Sequence, residues 1–387
     1  MTSRTARTFT FPIGYHKFHK NQLFNFQLNR WHSLGYARYG DLVEAGKRIR
    51  NFSDWTKVML DLAERAVAEG MLLPAAFYFR AAEFYLLTES PEKEALYNRF
   101  SDLFYQAVRN DDVERFSVPY GDSFLPVLRI PSVGEKKSTI MMHGGFDSFI
   151  EEFYSMMRFF AERGHEVIAF DGPGQGAARR KYGLALDLDW EKPVKTLLDF
   201  FNLDNVTLLG ISMGGWLCVR AAAFESRITR VIATGHSIDY MKNMNAIFRK
   251  LHRWSFVHFR NFMDRMAMWK FQRNNIQSWM VKQLMYITKK NKPMDALETY
   301  FLMNEENIHS ELVRQDVLIL SGTEDHLIPF KMHEEQLSAL TSAKSVSSRV
   351  FTKGEEAQNH CQIGNIGLAL DVMAGWIEEK SRFFEPF

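Results

Sequence analysis

The chain has 387 residues, is 46% hydrophobic and 24% charged, and carries a formal net charge of +2. That length supports one large domain with insertions, or two domains, around a large core. The near-neutral balance argues against nucleic acid or an anionic membrane as partner, and two cysteines, Cys218 and Cys361, make no disulfide framework.

No signal-peptide apolar region follows Arg4 and Arg7, and no run of about 18 apolar residues occurs, so a cytoplasmic, soluble protein is expected. A homodimer is left open. Residues 1–113 predict a helical segment. Trp55, Val58, Met59, Leu62, Ala63 and Ala66 recur at three-four spacing, and Ser90-Pro91 supplies an N-cap and first position for a helix over 92–108. The segment is too short for a solenoid, which favours a helical appendage on the main domain.

From residue 114 the pattern changes. A hairpin about Gly121-Asp122 is followed by apolar strands over 138–142, 166–170, 206–209, 230–234, 317–321 and 347–352, alternating with helical stretches. This predicts an α/β fold, a mostly parallel sheet covered on both faces. The core is expected in two parts, 114–238 and 312–387, with a helical insertion over 239–311. That insertion is too apolar for a linker. It predicts a lid over the site, with Trp254, Trp269 and Trp279 as candidate substrate contacts. The alternative is that these rings only bury the lid's own helices.

Gly210-Ile211-Ser212-Met213-Gly214 joins the strand over 206–209 to a helix-like run, the context of a nucleophile elbow. Such a turn lifts the Ser212 hydroxyl off the sheet and leaves the Met213 N–H at a helix N-terminus, where it can donate to an oxyanion. A serine hydroxyl needs a base, and the base an orienting acid. In the expected chain order, Asp325 follows one strand and His360 lies in the loop after the next. Glu324, His309, His326 and His333 are rivals in less suitable places. The second oxyanion donor is expected from His143-Gly144-Gly145-Phe146, as the amide of Gly145 or Phe146. Asp171-Gly172-Pro173-Gly174-Gln175-Gly176 lacks the phosphate-loop and dinucleotide spacings and reads as a tight turn. No metal-ligand spacing appears, and no cofactor is expected.

With these residues in place, the chain from about 115 onward resembles the α/β-hydrolases. More narrowly, it resembles a group containing 2,6-dihydropseudooxynicotine hydrolase, fungal polyketide-shortening hydrolases of the yellowish-green type and the fermentation-respiration switch protein. The helical segment before the core, Gly145-Phe146-Asp147-Ser148 with Glu151, the Asp171–Gly176 turn, and His360-Cys361-Gln362 carry that resemblance. It implies Ser212, Asp325 and His360 as a catalytic triad, and Glu151 near the site. The other reading of Glu151 is a first-turn carboxylate favoured by the helix dipole. Some members of the group cleave a carbon–carbon bond beside a ketone. The expected activity is therefore serine hydrolysis of an apolar or aromatic small molecule, with such cleavage as one form of it. Carboxylesterase or thioesterase activity is the alternative, and a non-catalytic binding protein is the third reading.

Overall fold

The computed structural model describes residues 8–243, 258–270 and 276–381. Its eight strands form one sheet in the order β1-β2-β4-β3-β5-β6-β7-β8. β1 (Glu114–Tyr120) and β2 (Ser123–Ile130) form the expected hairpin, and Gly121 turns it with φ +55°. β2 also runs antiparallel to β4 (His165–Phe170). From β4 onward every pairing is parallel, through β3 (Ser138–His143), β5 (Val206–Ile211), β6 (Ile228–Thr234), β7 (Asp316–Gly322) and β8 (Ser345–Phe351). β4 is buried along its whole length and β5 along all but its last residue, because helices cover both faces.

The N-terminal segment folds as α1 (Gln22–Ser33), α2 (Tyr39–Arg48), α3 (Phe52–Ala68), α4 (Leu72–Phe84) and α5 (Pro91–Ala107). α4 lies between α3 and α5 and is buried on nearly every side, matching its run of Ala and aromatic residues. Pro91 takes the first helical position, but the Ser90 side chain makes no capping hydrogen bond. The segment is more than an appendage: Trp31, Trp55, Phe77 and Phe100 share one continuous core with Ile140, Met157, Phe160 and Trp376.

Charge also ties this segment to the sheet domain. Arg80 donates through Nε to Glu152 at 2.9 Å and through a terminal nitrogen to Glu83 at 2.5 Å. Glu83 also meets Lys93 at 2.8 Å and Arg180 at 2.5 Å. All these side chains are buried, so the ions must satisfy one another.

The insertion after β6 is helical, with helices at Arg260–Lys270, Ile276–Thr288 and Pro293–Phe301 among the described residues. Trp279 anchors it. Its indole N–H donates to the Phe84 carbonyl at 3.0 Å and its ring stacks on Phe84 at 5.1 Å.

Candidate active site

β5 delivers Ser212 at its carboxyl end, and the helix Met213–Phe224 begins one residue later. Ser212 has φ +60° and ψ −127°, a conformation that costs an L-residue energy and persists only where its surroundings impose it. Here the Ser212 N–H donates to the Thr234 carbonyl at 2.8 Å, and the Gly215 N–H donates to the Ser212 carbonyl at 2.8 Å. The two elbow glycines are steric necessities. A Cβ on Gly210 would stand 2.1 Å from the Gly214 carbonyl oxygen, and one on Gly214 would stand 2.4 Å from that of Gly144.

The loops after β7 and β8 bring Asp325 and His360 to the same edge. His360 Nε2 lies 2.9 Å from Ser212 Oγ, and His360 Nδ1 lies 2.7 Å from Asp325 Oδ2. Asp325 Oδ1 accepts the Leu327 and Ile328 amides at 2.9 and 3.0 Å, which fixes the carboxylate's direction. Burial disfavours both charged forms, but mutual attraction prevails. It holds Asp325 below the usual carboxylate range, helped by those amides, and Asp325, with Cys361, raises His360 well above the ordinary histidine value.

The structure gives the rival groups other partners. His333 bonds Ser321 and Ser348 at 2.8 and 2.7 Å. His309 packs edge-on against Phe224. His326 does line the cavity, but it packs on Phe26, and burial pushes it down to about 4, which leaves it neutral. The Glu324 amide is tied to the Gln358 carbonyl.

The loop after β3 presses against the elbow. A Cβ on Gly145 would stand 2.7 Å from the Met213 nitrogen, so only glycine allows this approach. The Gly145 N–H donates to Ser148 Oγ at 3.3 Å. The preceding Gly144 carbonyl accepts Gln175 Nε2 at 2.6 Å and the His143 ring at 3.1 Å. Trp190 donates to His143 Nε2 at 3.1 Å, which places the ring proton on Nδ1, facing Gly144. Gln175 comes from the turn after β4, which sequence reasoning reads only as a tight turn. Its signal was a carboxamide amid glycines at a strand's carboxyl end.

A cavity of about 340 Å³ opens above Ser212 and His360. Leu23, Phe26, Gln27 and Arg30 of α1 form one wall, Phe146 and Asp147 another, and Trp279, Leu284 and Tyr300 of the insertion a third. Arg30 pairs with Asp147 at 3.1 Å and with Glu152. Of the three insertion tryptophans, Trp279 lines this cavity, Trp269 is 61% exposed and stands away from it, and Trp254 lies outside the described residues. Glu151 is also displaced from the expected place. It faces a separate cavity of about 190 Å³, where it accepts the Tyr105 hydroxyl at 2.7 Å, and burial raises its carboxyl above the usual range. The next residue, Glu152, borders the cavity above Ser212 instead. The short helix that begins at Ile150 turns the two carboxylates to opposite sides.

Among the described residues, no cluster of three or more His, Cys, Asp or Glu could hold a metal, and no helix is long and apolar enough to cross a membrane.

The model of the α/β hydrolase fold family matches residues 140–351, more than half the chain. The chain belongs to that family. The hydrolase LUC6 of a Fusarium species is 26% identical over 94% of this chain and 98% of its own. The 20-hydroxy-prefusarin hydrolase FUS2 of Gibberella moniliformis is 31% identical over 58% of this chain, and the match spans 63% of that protein. Among solved structures, 2,6-dihydroxy-pseudo-oxynicotine hydrolase superposes with a TM-score of 0.65 at 23% identity, covering 90% of this chain and 94% of that one. This α/β-hydrolase is thus an enzyme whose relatives are hydrolases, with a fold that extends to the N-terminal helices.

Proposed function

We propose that this α/β-hydrolase is a serine hydrolase with Ser212 as nucleophile, His360 as base and then acid, and Asp325 as the group orienting His360. The observation that carries this is the unbroken hydrogen-bonded line Ser212–His360–Asp325 on an elbow held at φ +60°. The amides of Met213 and Phe146 are the oxyanion donors. The Gly145 amide is already engaged by Ser148, which favours Phe146 over it.

The substrate is an apolar small molecule, since the cavity walls are largely aliphatic and aromatic. For a substrate with a bond beside a ketone, Ser212 Oγ adds to the carbonyl carbon and its proton passes to His360 Nε2. Collapse of the oxyanion breaks the carbon–carbon bond, and His360 returns the proton to the departing carbon. Water, deprotonated by His360, then releases the carboxylic acid and restores Ser212. FUS2 is named for hydrolysing 20-hydroxy-prefusarin, which supports action on a specific small molecule. Ester or thioester hydrolysis uses the same residues with an oxygen or sulfur leaving group.

Apolar β-diketones and matched 4-nitrophenyl esters assayed side by side test this reading. Release of ketone and acid from a β-diketone is expected. Turnover of esters alone would leave the esterase reading standing, and absence of both, with no fluorophosphonate labelling, would indicate a binding protein.

A further inference from the structure

The α1 wall of the cavity carries a polar group that the chemistry above does not use. Gln27 is 7% exposed, lines the cavity, and its Oε1 has no hydrogen-bond partner. A buried carbonyl oxygen without a donor is destabilising and is rare in folded proteins. Its neighbours along the helix do not supply one: the Trp31 indole N–H, one turn on, is also without a partner and makes no bond to it. Leu23 and Phe26 are apolar, and Arg30, one turn on, is committed to Asp147 and Glu152. In the lining of the same cavity Gln362, which is 1% exposed, accepts a hydrogen bond from the Thr234 hydroxyl through Oε1 but leaves Nε2 without a partner. A largely apolar cavity thus holds an unmet acceptor on Gln27 and an unmet donor on Gln362, and the Tyr240 hydroxyl that lines it is likewise without a partner.

We propose that Gln27 determines specificity by accepting a hydrogen bond from a hydroxyl group on an otherwise apolar substrate. This rests on the serine-hydrolase reading. A hydroxyl suits Oε1 better than an ammonium, because Arg30 lies one turn away and Arg80 stands behind the same carboxylate. The substrate class is therefore a hydroxylated apolar acyl compound, with the hydroxyl carried on the part that meets the N-terminal helix.

The test uses 4-nitrophenyl decanoate and its monohydroxy isomers, with the hydroxyl placed in turn from the fourth to the tenth carbon. In the wild type, at least one isomer should exceed the parent ester in kcat/KM by about 10-fold or more. In Gln27→Leu and Gln27→Met that ratio should fall to about one through KM, and a ratio does not depend on how much protein is folded. Tm should not fall in either variant, since Oε1 makes no bond to lose. No preference across the series, or a preference that survives both variants, would overturn the assignment. A lowered Tm with an unchanged ratio would make Gln27 structural. If the wild type fails to take up a fluorophosphonate at all, the serine-hydrolase reading falls first and this assignment with it.

Discussion

At the scale of single residues, the site is an exercise in placing charge. As the proposed base, His360 must be neutral to accept the Ser212 proton, and Asp325 holds it well above the ordinary histidine value. Activity should therefore fall as pH drops through an apparent pKa above about 6.5, not around it, because protonated His360 is no base. A pH profile of kcat/KM checks this. Asp325→Asn should move that limb to lower pH and cut kcat by about four orders of magnitude. The same shift has a stability sign. The His360–Asp325 pair contributes its histidine share fully below about 6.5, and that share is lost as pH rises through the raised value. In the same reading Gln175 acts one step removed, by fixing the Gly144 carbonyl and hence the peptide that leads into the proposed oxyanion loop. Gln175→Leu should lower kcat about 10-fold or more with little change in KM, a split that measures transition-state positioning. Equal loss in both would assign Gln175 to substrate binding.

At the scale of elements, the legibility of the sequence follows the range of the interactions. The eight strands and the elbow are local patterns, and each strand falls within two residues of its expected start. The order of Ser212, Asp325 and His360 could be read because the fold delivers all three from strand ends. The wall built by α1 could not, since nothing in Leu23–Arg30 announces a docking partner more than 100 residues away. Glu151 and Glu152 differ only in helical phase, and that phase is set by Arg80 and Tyr105. The insertion makes the same point. Its aromatic content is evident, but Trp279 is buried against α4 whereas Trp269 faces outward. Trp279→Ala should cost about 3–5 kcal/mol in urea unfolding and raise KM for bulky esters relative to 4-nitrophenyl acetate. Trp269→Ala should leave that selectivity as it is. Identical selectivity in both variants would remove Trp279 from the substrate wall.

For the whole molecule, the cavity above Ser212 is the seam where three parts meet: the sheet's carboxyl edge, the N-terminal helices and the insertion. Arg80 holds that seam by neutralising Glu83 and Glu152 at once. Arg80→Met should therefore lower unfolding free energy by about 3–5 kcal/mol, since it strands buried carboxylates, and the urea midpoint will report it. A neutral effect would mean that Lys93, Arg180 and Arg30 suffice. If the seam closes over a nucleophilic serine, mass-spectrometric mapping of a fluorophosphonate adduct will locate it. The adduct should sit on Ser212 in the wild type and vanish, together with turnover, in a folded Ser212→Ala variant. Full labelling of that variant, or an adduct on any other residue, would contradict the Ser212 assignment.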